Sequence, residues 1–349
     1  MKRIAFHDRE RETGEIMDIL DAEPSLITFV YGPINSGKTT LISHLIEELP
    51  EDYIPFYVNL RGRFITDYED FLNVLFEIDE EGEVSNVTEY VKSALKDMGA
   101  VSGIPIPINL FERIFEKKDK SKDMFKYIEQ FFVEVSKTRT PILIIDELQV
   151  IGDLKIDGLL IYKLFNFFIR LTKELHLAHV FAISSDSLFI EDVHSEVMLE
   201  GRCRYLLVDD FDCETTMDFL NKYGFSNEEK EITWDYCGGK PVCLVELANA
   251  KTNEKDVEHE AKKFLKIRTS QILSIFDGIA LGKIEYSEEA LIGEFKNFEE
   301  EELVQYDKVN KEKIFLVERN ILFIDPTQRT IKPQSRLNLL AIREVVRNA

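Results

Sequence analysis

Gly32-Pro33-Ile34-Asn35-Ser36-Gly37-Lys38-Thr39 is the stretch that decides how this chain reads. It has the pattern G-x-x-x-x-G-K-T. Ahead of it lies an apolar run, Leu26, Ile27, Phe29 and Val30; behind it Leu41, Ile42, Leu45, Ile46 and Leu49 recur at helical spacing. Strand, loop and helix in that order are the context a phosphate-binding loop requires. Gly32 and Gly37 let the backbone curl so that successive N–H groups point inward at an anion. The following helix adds the positive end of its dipole. In that frame the residues from Gly32 to Thr40 line a nucleotide's phosphates, Lys38 reaches the β- and γ-phosphates, and the Thr39 hydroxyl ligates Mg²⁺.

A second signature lies about a hundred residues on. Pro141 opens Ile142-Leu143-Ile144-Ile145-Asp146-Glu147-Leu148-Gln149. Four apolar residues make a strand that buries itself, and its C-terminal end delivers two carboxylates beside the phosphate loop. There Asp146 is expected to hold Mg²⁺ through water and Glu147 to activate the attacking water as general base. An acid directly after the Mg²⁺ aspartate favours hydrolysis over nucleoside phosphorylation. The length between the signatures accommodates a further strand between theirs in the sheet.

Outward from these, residues 53–60 read as a strand, displaced towards the sheet edge by Pro55. Gly103-Ile104-Pro105-Ile106-Pro107-Ile108 is too proline-rich for a central strand and reads as an edge ribbon or surface insertion. Residues 178–183 and 203–208 form two more strands. Ser184-Ser185-Asp186 ends the first, where a polar side chain is placed to sense the γ-phosphate. Gly201-Arg202 precedes the second, and Arg202 is a candidate phosphate contact in cis or from a neighbouring subunit. From Asp209 the alternation stops. Short helices are expected at 213–223, 227–237 and 241–250, with Cys237-Gly238-Gly239-Lys240-Pro241 as a fixed corner. A long helix at 256–282 follows, then helices at 288–296 and 301–319, a hairpin at 321–334, and a final helix. Helices followed by a hairpin suggest a winged helix.

The whole chain narrows the function classes. Its 349 residues suffice for two or three domains, and 44% hydrophobic with 31% charged residues is a globular profile. The N-terminus turns charged too soon for a signal peptide, which implies the cytoplasm, and no run reaches the length of a membrane span. A net charge of −22 argues against strong nonspecific binding to nucleic acid or an anionic membrane. The four cysteines lack C-x-x-C spacing, so reduced thiols are expected rather than a metal site. Scarce glutamine beside abundant charge leans towards a thermophile.

Together these residues resemble one family, the archaeal ATPases of the AAA+-related STAND group of P-loop NTPases. The matching stretches are Phe6-x-Asp8-Arg9-Glu10, the loop Gly32 to Thr39, Ile144 to Gln149, Ser184 to Ser187, Gly201-Arg202 and Gly238-Gly239-Lys240-Pro241. The resemblance implies ATP binding by proteins that act as switches. It implies that Phe6 and Arg9 lie near the adenine, that Ser185 senses phosphate and that Pro241 touches the nucleotide. Asn35 departs from the basic residue many relatives carry there. The expected architecture is α/β: a P-loop core with a mostly parallel five-stranded sheet (1–210), a helical lid (211–265) and a C-terminal winged-helix-like domain (266–349). The expected activity is Mg²⁺-dependent ATP hydrolysis driving a conformational switch with a protein partner. The rivals are an ATP-regulated DNA-binding or replication-type protein and a nucleotide-gated module with negligible turnover. The acidic residues 299–302 and Asp307 weigh against DNA.

Overall fold

The computed structural model describes residues 4, 6–80, 86–94, 101–115, 120–152 and 159–348. Helix α1 (Glu10–Leu20) leads into strand β1 (Ile27–Tyr31), the phosphate loop and helix α2 (Lys38–Glu48). Next come β2 (Tyr53–Asn59), α3 (Tyr68–Leu75), β3 (Phe76–Asp79), α4 (Val87–Ala94), β4 (Val101–Ser102), β5 (Ile104–Pro107), α5 (Ile108–Phe115) and α6 (Lys120–Val135). Then β6 (Thr140–Asp146), α7 (Leu160–Ile169), β7 (His179–Ser184), α8 (Ser187–Ser195) and β8 (Cys203–Leu207) complete the core. The main sheet is parallel in the order β4-β2-β6-β7-β1-β8, so β7 lies between the two signature strands as their spacing implied. Five strands carry it; β4 adds only a two-residue edge. Pro55 is tolerated because β4 pairs with Phe56 and Tyr57 alone, leaving no ladder for the missing N–H.

Period-two alternation divides the sheet between two cores. Phe29, Tyr31, Leu143, Ile145, Val180 and Ala182 face one, covered by α6 and α7. Val30, Ile142, Ile144, Phe181 and Ile183 face the other, covered by Ile16, Ile19 and Leu20 of α1 and Leu41, Ile42 and Leu45 of α2. The proline-rich segment does form an edge ribbon, β5 pairing in parallel with β3, but Ile104 and Ile106 are fully buried. Residues 81–85, 95–100 and 116–119, on either side of that ribbon, lie outside the described residues.

Beyond β8 the chain is α9 (Cys213–Lys222), α10 (Asn227–Cys237), α11 (Pro241–Thr252), α12 (Val257–Ala280), α13 (Glu288–Lys296), β9 (Val304–Gln305), α14 (Lys311–Glu318), β10 (Leu322–Asp325), β11 (Thr330–Pro333) and α15 (Arg336–Asn348). The expected boundary at 265/266 falls inside α12, which is continuous. Val257, Ala261 and Phe264 pack with α9–α11, whereas Leu265, Ile272 and Ile275 pack with the C-terminal helices. The helix expected at 301–319 is instead a short strand and a helix begun by Asn310, whose side chain caps Lys313 N. The acidic run before it has no apolar face to bury. The strands order β10-β11-β9, all antiparallel. Their hairpin leans on the core: Phe323 joins the core beside Tyr31, ring centroids 6.4 Å apart, and the Tyr31 hydroxyl donates to Asp325 Oδ1 at 2.8 Å.

One glycine fixes the corner between α10 and α11. A Cβ at Gly239 would lie 1.7 Å from the Phe211 carbonyl oxygen, on backbone held by the Phe211 N–H to Gly239 O bond at 2.9 Å. Gly239→Ala should therefore cost about 2–4 kcal/mol in a denaturant melt. Gly293→Ala, in α13 with nothing near its Cβ, should be neutral or stabilising by up to about 1 kcal/mol. Equal melts for the two variants would show that the corner yields.

Candidate functional site

The phosphate loop follows from its residues. Asn35 at φ 59° and Gly37 at φ 97° take left-handed conformations that turn the chain into α2. A Cβ at Gly32 would lie 2.1 Å from Val208 O, so the loop base can only be glycine. Ser36 and Lys38 are buried, and Thr40 is exposed one step along α2. The Lys38 ammonium donates to Gly32 O and Pro33 O, each at 2.9 Å. Burial, reinforced by nearby Lys240, lowers it to about 8.

The second signature arrives at the same place, because β6 runs parallel to β1 with β7 between them. The Thr39 hydroxyl donates to Asp146 Oδ2 at 2.9 Å, and the Tyr57 hydroxyl donates to the same oxygen at 2.8 Å. Burial and that carboxylate together push the Tyr57 phenol above its ordinary range. Asp146 is 1% exposed. Hard oxygen donors gathered beside a phosphate loop suit Mg²⁺. Glu147 stands in a left-handed conformation (φ 61°) and is 7% exposed. Its carboxylate is paired with the Arg61 guanidinium and accepts from Gln149 Nε2. Ser184 Oγ donates to Gln149 Oε1 at 2.9 Å, so β7 reaches Glu147 through Gln149.

The other expected site residues divide. Arg9 is buried beside the loop: its guanidinium donates to Ser36 O (2.6 Å) and Asp209 O (2.7 Å) and covers the Phe211 ring at 4.5 Å. It thus ties the loop to the segment between β8 and α9. Phe6 lies on the His44 ring of α2, centroids 4.0 Å apart. The buried polar group at the end of β7 that joins the site is Ser184; Ser185 is half-buried beside it. Arg202 requires a correction within this chain. Cys203 pairs with Ile27 at the start of parallel β1, whereas the loop leaves its far end after Tyr31. Arg202 therefore sits at the opposite end of the sheet, where its guanidinium donates to Met198 O at 2.7 Å.

Pro241 begins α11, but its neighbour Lys240 makes the contact with the loop. The buried Lys240 ammonium donates to Ile34 O at 3.1 Å and lies 2.8 Å from Asp210 Oδ1. Burial still holds the Asp210 carboxyl above its usual range. On the other side of the same residue, Ile34 N–H donates to Gln334 Oε1 at 3.1 Å. Lys332, two residues before Gln334, is paired with Asp209. The Gly-Gly-Lys-Pro corner carried a signal for Lys240. Nothing local pointed to Gln334 or Arg61.

The geometry is that of a P-loop nucleotide site, and comparison with known proteins agrees. The model of an ATPase domain predominantly from Archaea matches residues 6–247, and that of the C-terminal domain of MJ1010-like uncharacterized ATP-binding proteins matches residues 258–346. An uncharacterized ATP-binding protein of Pyrococcus abyssi is 48% identical over 342 residues, covering 98% of both chains. Another, of Methanocaldococcus jannaschii, is 46% identical over 352 residues, covering 98% of this chain and 97% of its own. Among solved structures, the Walker-type ATPase PABY2304 of Pyrococcus abyssi superposes with a TM-score of 0.64 at 15% identity, covering 97% of this chain and 96% of that one, which is a likeness of fold. On the match over residues 6–247, this chain belongs to the family of ATPase domains found predominantly in Archaea.

Proposed function

We propose that this chain binds ATP with Mg²⁺, hydrolyses it to ADP and phosphate, and uses the cycle as a conformational switch. The observation that carries the switch is the double hold on Ile34: the lid's Lys240 takes its carbonyl and the C-terminal domain's Gln334 takes its N–H. Both later domains thereby bear on one residue of the phosphate loop. A nucleotide that reshapes the loop alters both contacts, so its differential affinity for the two arrangements becomes domain movement.

The chemistry rests on the residues gathered at the loop. Mg²⁺ held by Thr39 and, through water, Asp146 would neutralise charge on the phosphates. Lys38 turns its ammonium from the loop carbonyls to the β- and γ-phosphate oxygens. Glu147 accepts a proton from the attacking water, for which its carboxylate must leave Arg61 or Gln149. That restraint makes slow basal turnover the expected behaviour. DNA reading is less well supported, because the hairpin spends Phe323, Asp325 and Lys332 on the core.

Three measurements test this reading. Lys38→Ala should weaken ATP binding by about 100-fold or more. Glu147→Gln should leave binding within about threefold and slow phosphate release by about 100-fold; release at the parental rate would remove Glu147 as the base.

The titration of Lys38 adds a pH dependence. Below pH 8 the ammonium is already charged, and bound phosphate needs no proton from solvent. From there to the ordinary lysine range near about 10.4, binding must take up a proton, so affinity should fall by up to about tenfold per pH unit. Calorimetry at pH 9 should register that uptake; equal affinity at pH 7 and pH 9.5 would contradict it.

Gln334→Ala removes one neutral hydrogen bond to the loop, worth about 1 kcal/mol. Release of a fluorescent ADP analogue should accelerate about fivefold, and an unchanged rate would mean that the C-terminal domain does not bear on the loop.

A further inference from the structure

A groove of about 1010 Å³ runs between α7 and α8 of the core and α14 of the C-terminal domain. Its walls are part apolar and part polar. Of the apolar residues, Phe165 and Ile161 are buried, Leu188 and Phe189 are half-buried, and Tyr162 and Ile314 stay 41% and 37% exposed. Around them stand six carboxylates, those of Asp186, Glu191, Asp192, Glu196, Asp307 and Glu318, against two cations, Lys308 and Arg329. Glu191 and Glu196 have tyrosine hydroxyls rather than cations as partners: Tyr306 donates to Glu191 at 2.7 Å, and Tyr162 bonds Glu196. Among the described lining residues, apolar side chains thus stand beside a rim whose carboxylates outnumber its cations.

We propose that this groove docks a basic, amphipathic segment of a partner protein. Charge complementarity selects that occupant. A nucleic acid would be repelled by the rim, and a second copy of a chain carrying −22 would be repelled as a whole. Apolar side chains at i, i+3, i+4 and i+7 on one helix face fit the floor between Phe165 and Ile314, with lysines or arginines flanking them at the rim. The groove's lining includes Gln149, the residue bonded to both Glu147 and Ser184. A seated segment therefore reaches the residue that holds the proposed base. That link rests on the hydrolysis proposed above, whereas the docking does not, and the test measures docking alone.

The probe is a fluorescein-labelled helical peptide of about 14 leucines and lysines, with leucines at that spacing, followed by anisotropy on the full chain without nucleotide. Binding at micromolar protein is expected. Glu196→Lys combined with Glu318→Lys should weaken it at least about tenfold, and Ile314→Asp, at a partly exposed position, should do so independently. Glu299→Lys combined with Glu300→Lys, exposed residues away from the groove, should change it by less than about twofold. Failure to bind below about 100 μM, or equal weakening by the two charge-reversed pairs, would overturn the proposal. So would a dimer in sedimentation that the Glu196→Lys and Glu318→Lys pair dissolves, since a second copy would then be the occupant, or displacement of the peptide by a single-stranded oligonucleotide.

Discussion

The buried ammonium of Lys38 constrains everything around it. A charge taken out of water must be met by polar groups or it costs several kcal/mol. The carbonyls of Gly32 and Pro33 meet it, each at 2.9 Å. They can face inward because Gly32 lies so close to Val208 that a side chain has no room. Val208 is in turn fixed to the end of β1 by its N–H, which donates to Tyr31 O at 2.8 Å. The next residue, Asp209, gives its carbonyl to Arg9, and Arg9 also holds Ser36. One charge thus accounts for the loop's curl, its glycine, the path of the chain into the lid and the seat of the N-terminal segment.

That same exit from β8 explains how two separate domains are held. Asp209 is paired with Lys332 of the C-terminal hairpin, and Asp210 with Lys240 of the lid corner. The two lysines come from different domains and meet consecutive carboxylates. Ile34 repeats the arrangement on the loop side, with one polar group for each domain. Lid and hairpin therefore lean on the same two short pieces of backbone, and a shift in either piece is felt by both. Tyr31 strengthens the hairpin's share, since it is the last residue of β1 and contacts both Phe323 and Asp325. The holds of Arg61 and Gln149 on Glu147 have a different origin, just after β2 and just after β6, so they are separable from the domain contacts.

Legibility followed locality. The strands of the main sheet were readable because a short continuous apolar run ending in polar residues suits a strand buried on both faces. The site's centre was readable because Lys38, Thr39 and Asp146 stand at the ends of such runs, where parallel strands must deliver them together. The lid helices also followed from periodicity. Lys240 and Gln334 did not, since they lie 206 and 300 residues from Ile34 and only the packed domains bring them there. β5 is the ribbon its prolines allowed, and only its burial went unread, because Ile104 and Ile106 are covered by elements distant in sequence. The 301–319 segment reads as one helix, but only Lys311–Glu318 buries an apolar face, and the residues before it turn into a short strand. That Arg202 does not reach the loop of its own chain could be seen in advance, because a residue just before a parallel strand lies at the end of the sheet away from the loop.

A chain carrying −22 charges still has to attract a polyanion. At physiological ionic strength charges beyond about 8 Å are largely screened, so the local set decides. Around the loop that set is Lys38, Lys240, Lys332, Arg9 and Arg61, of which all but Lys38 are already paired with carboxylates. On the switch proposed above, phosphate competes with those carboxylates for their cations. The competition is unequal. Asp209 is partly exposed and can hydrate when Lys332 leaves it. Asp210 keeps 21% of its side chain in solvent, but the Oδ1 that faces Lys240 is buried and burial raises its carboxyl, so stripping it of its partner costs more than at Asp209, up to about 3–5 kcal/mol. Lys240 therefore cannot swing to a phosphate by side-chain rotation without leaving that cost behind. Either it keeps Asp210 and touches phosphate from where it stands, or the corner at Gly238-Gly239 carries it away while water reaches Asp210. The second course moves the lid. The pairing of Lys240 with a partly buried acid is thus what would make a local charge exchange at the loop into a displacement of a whole domain.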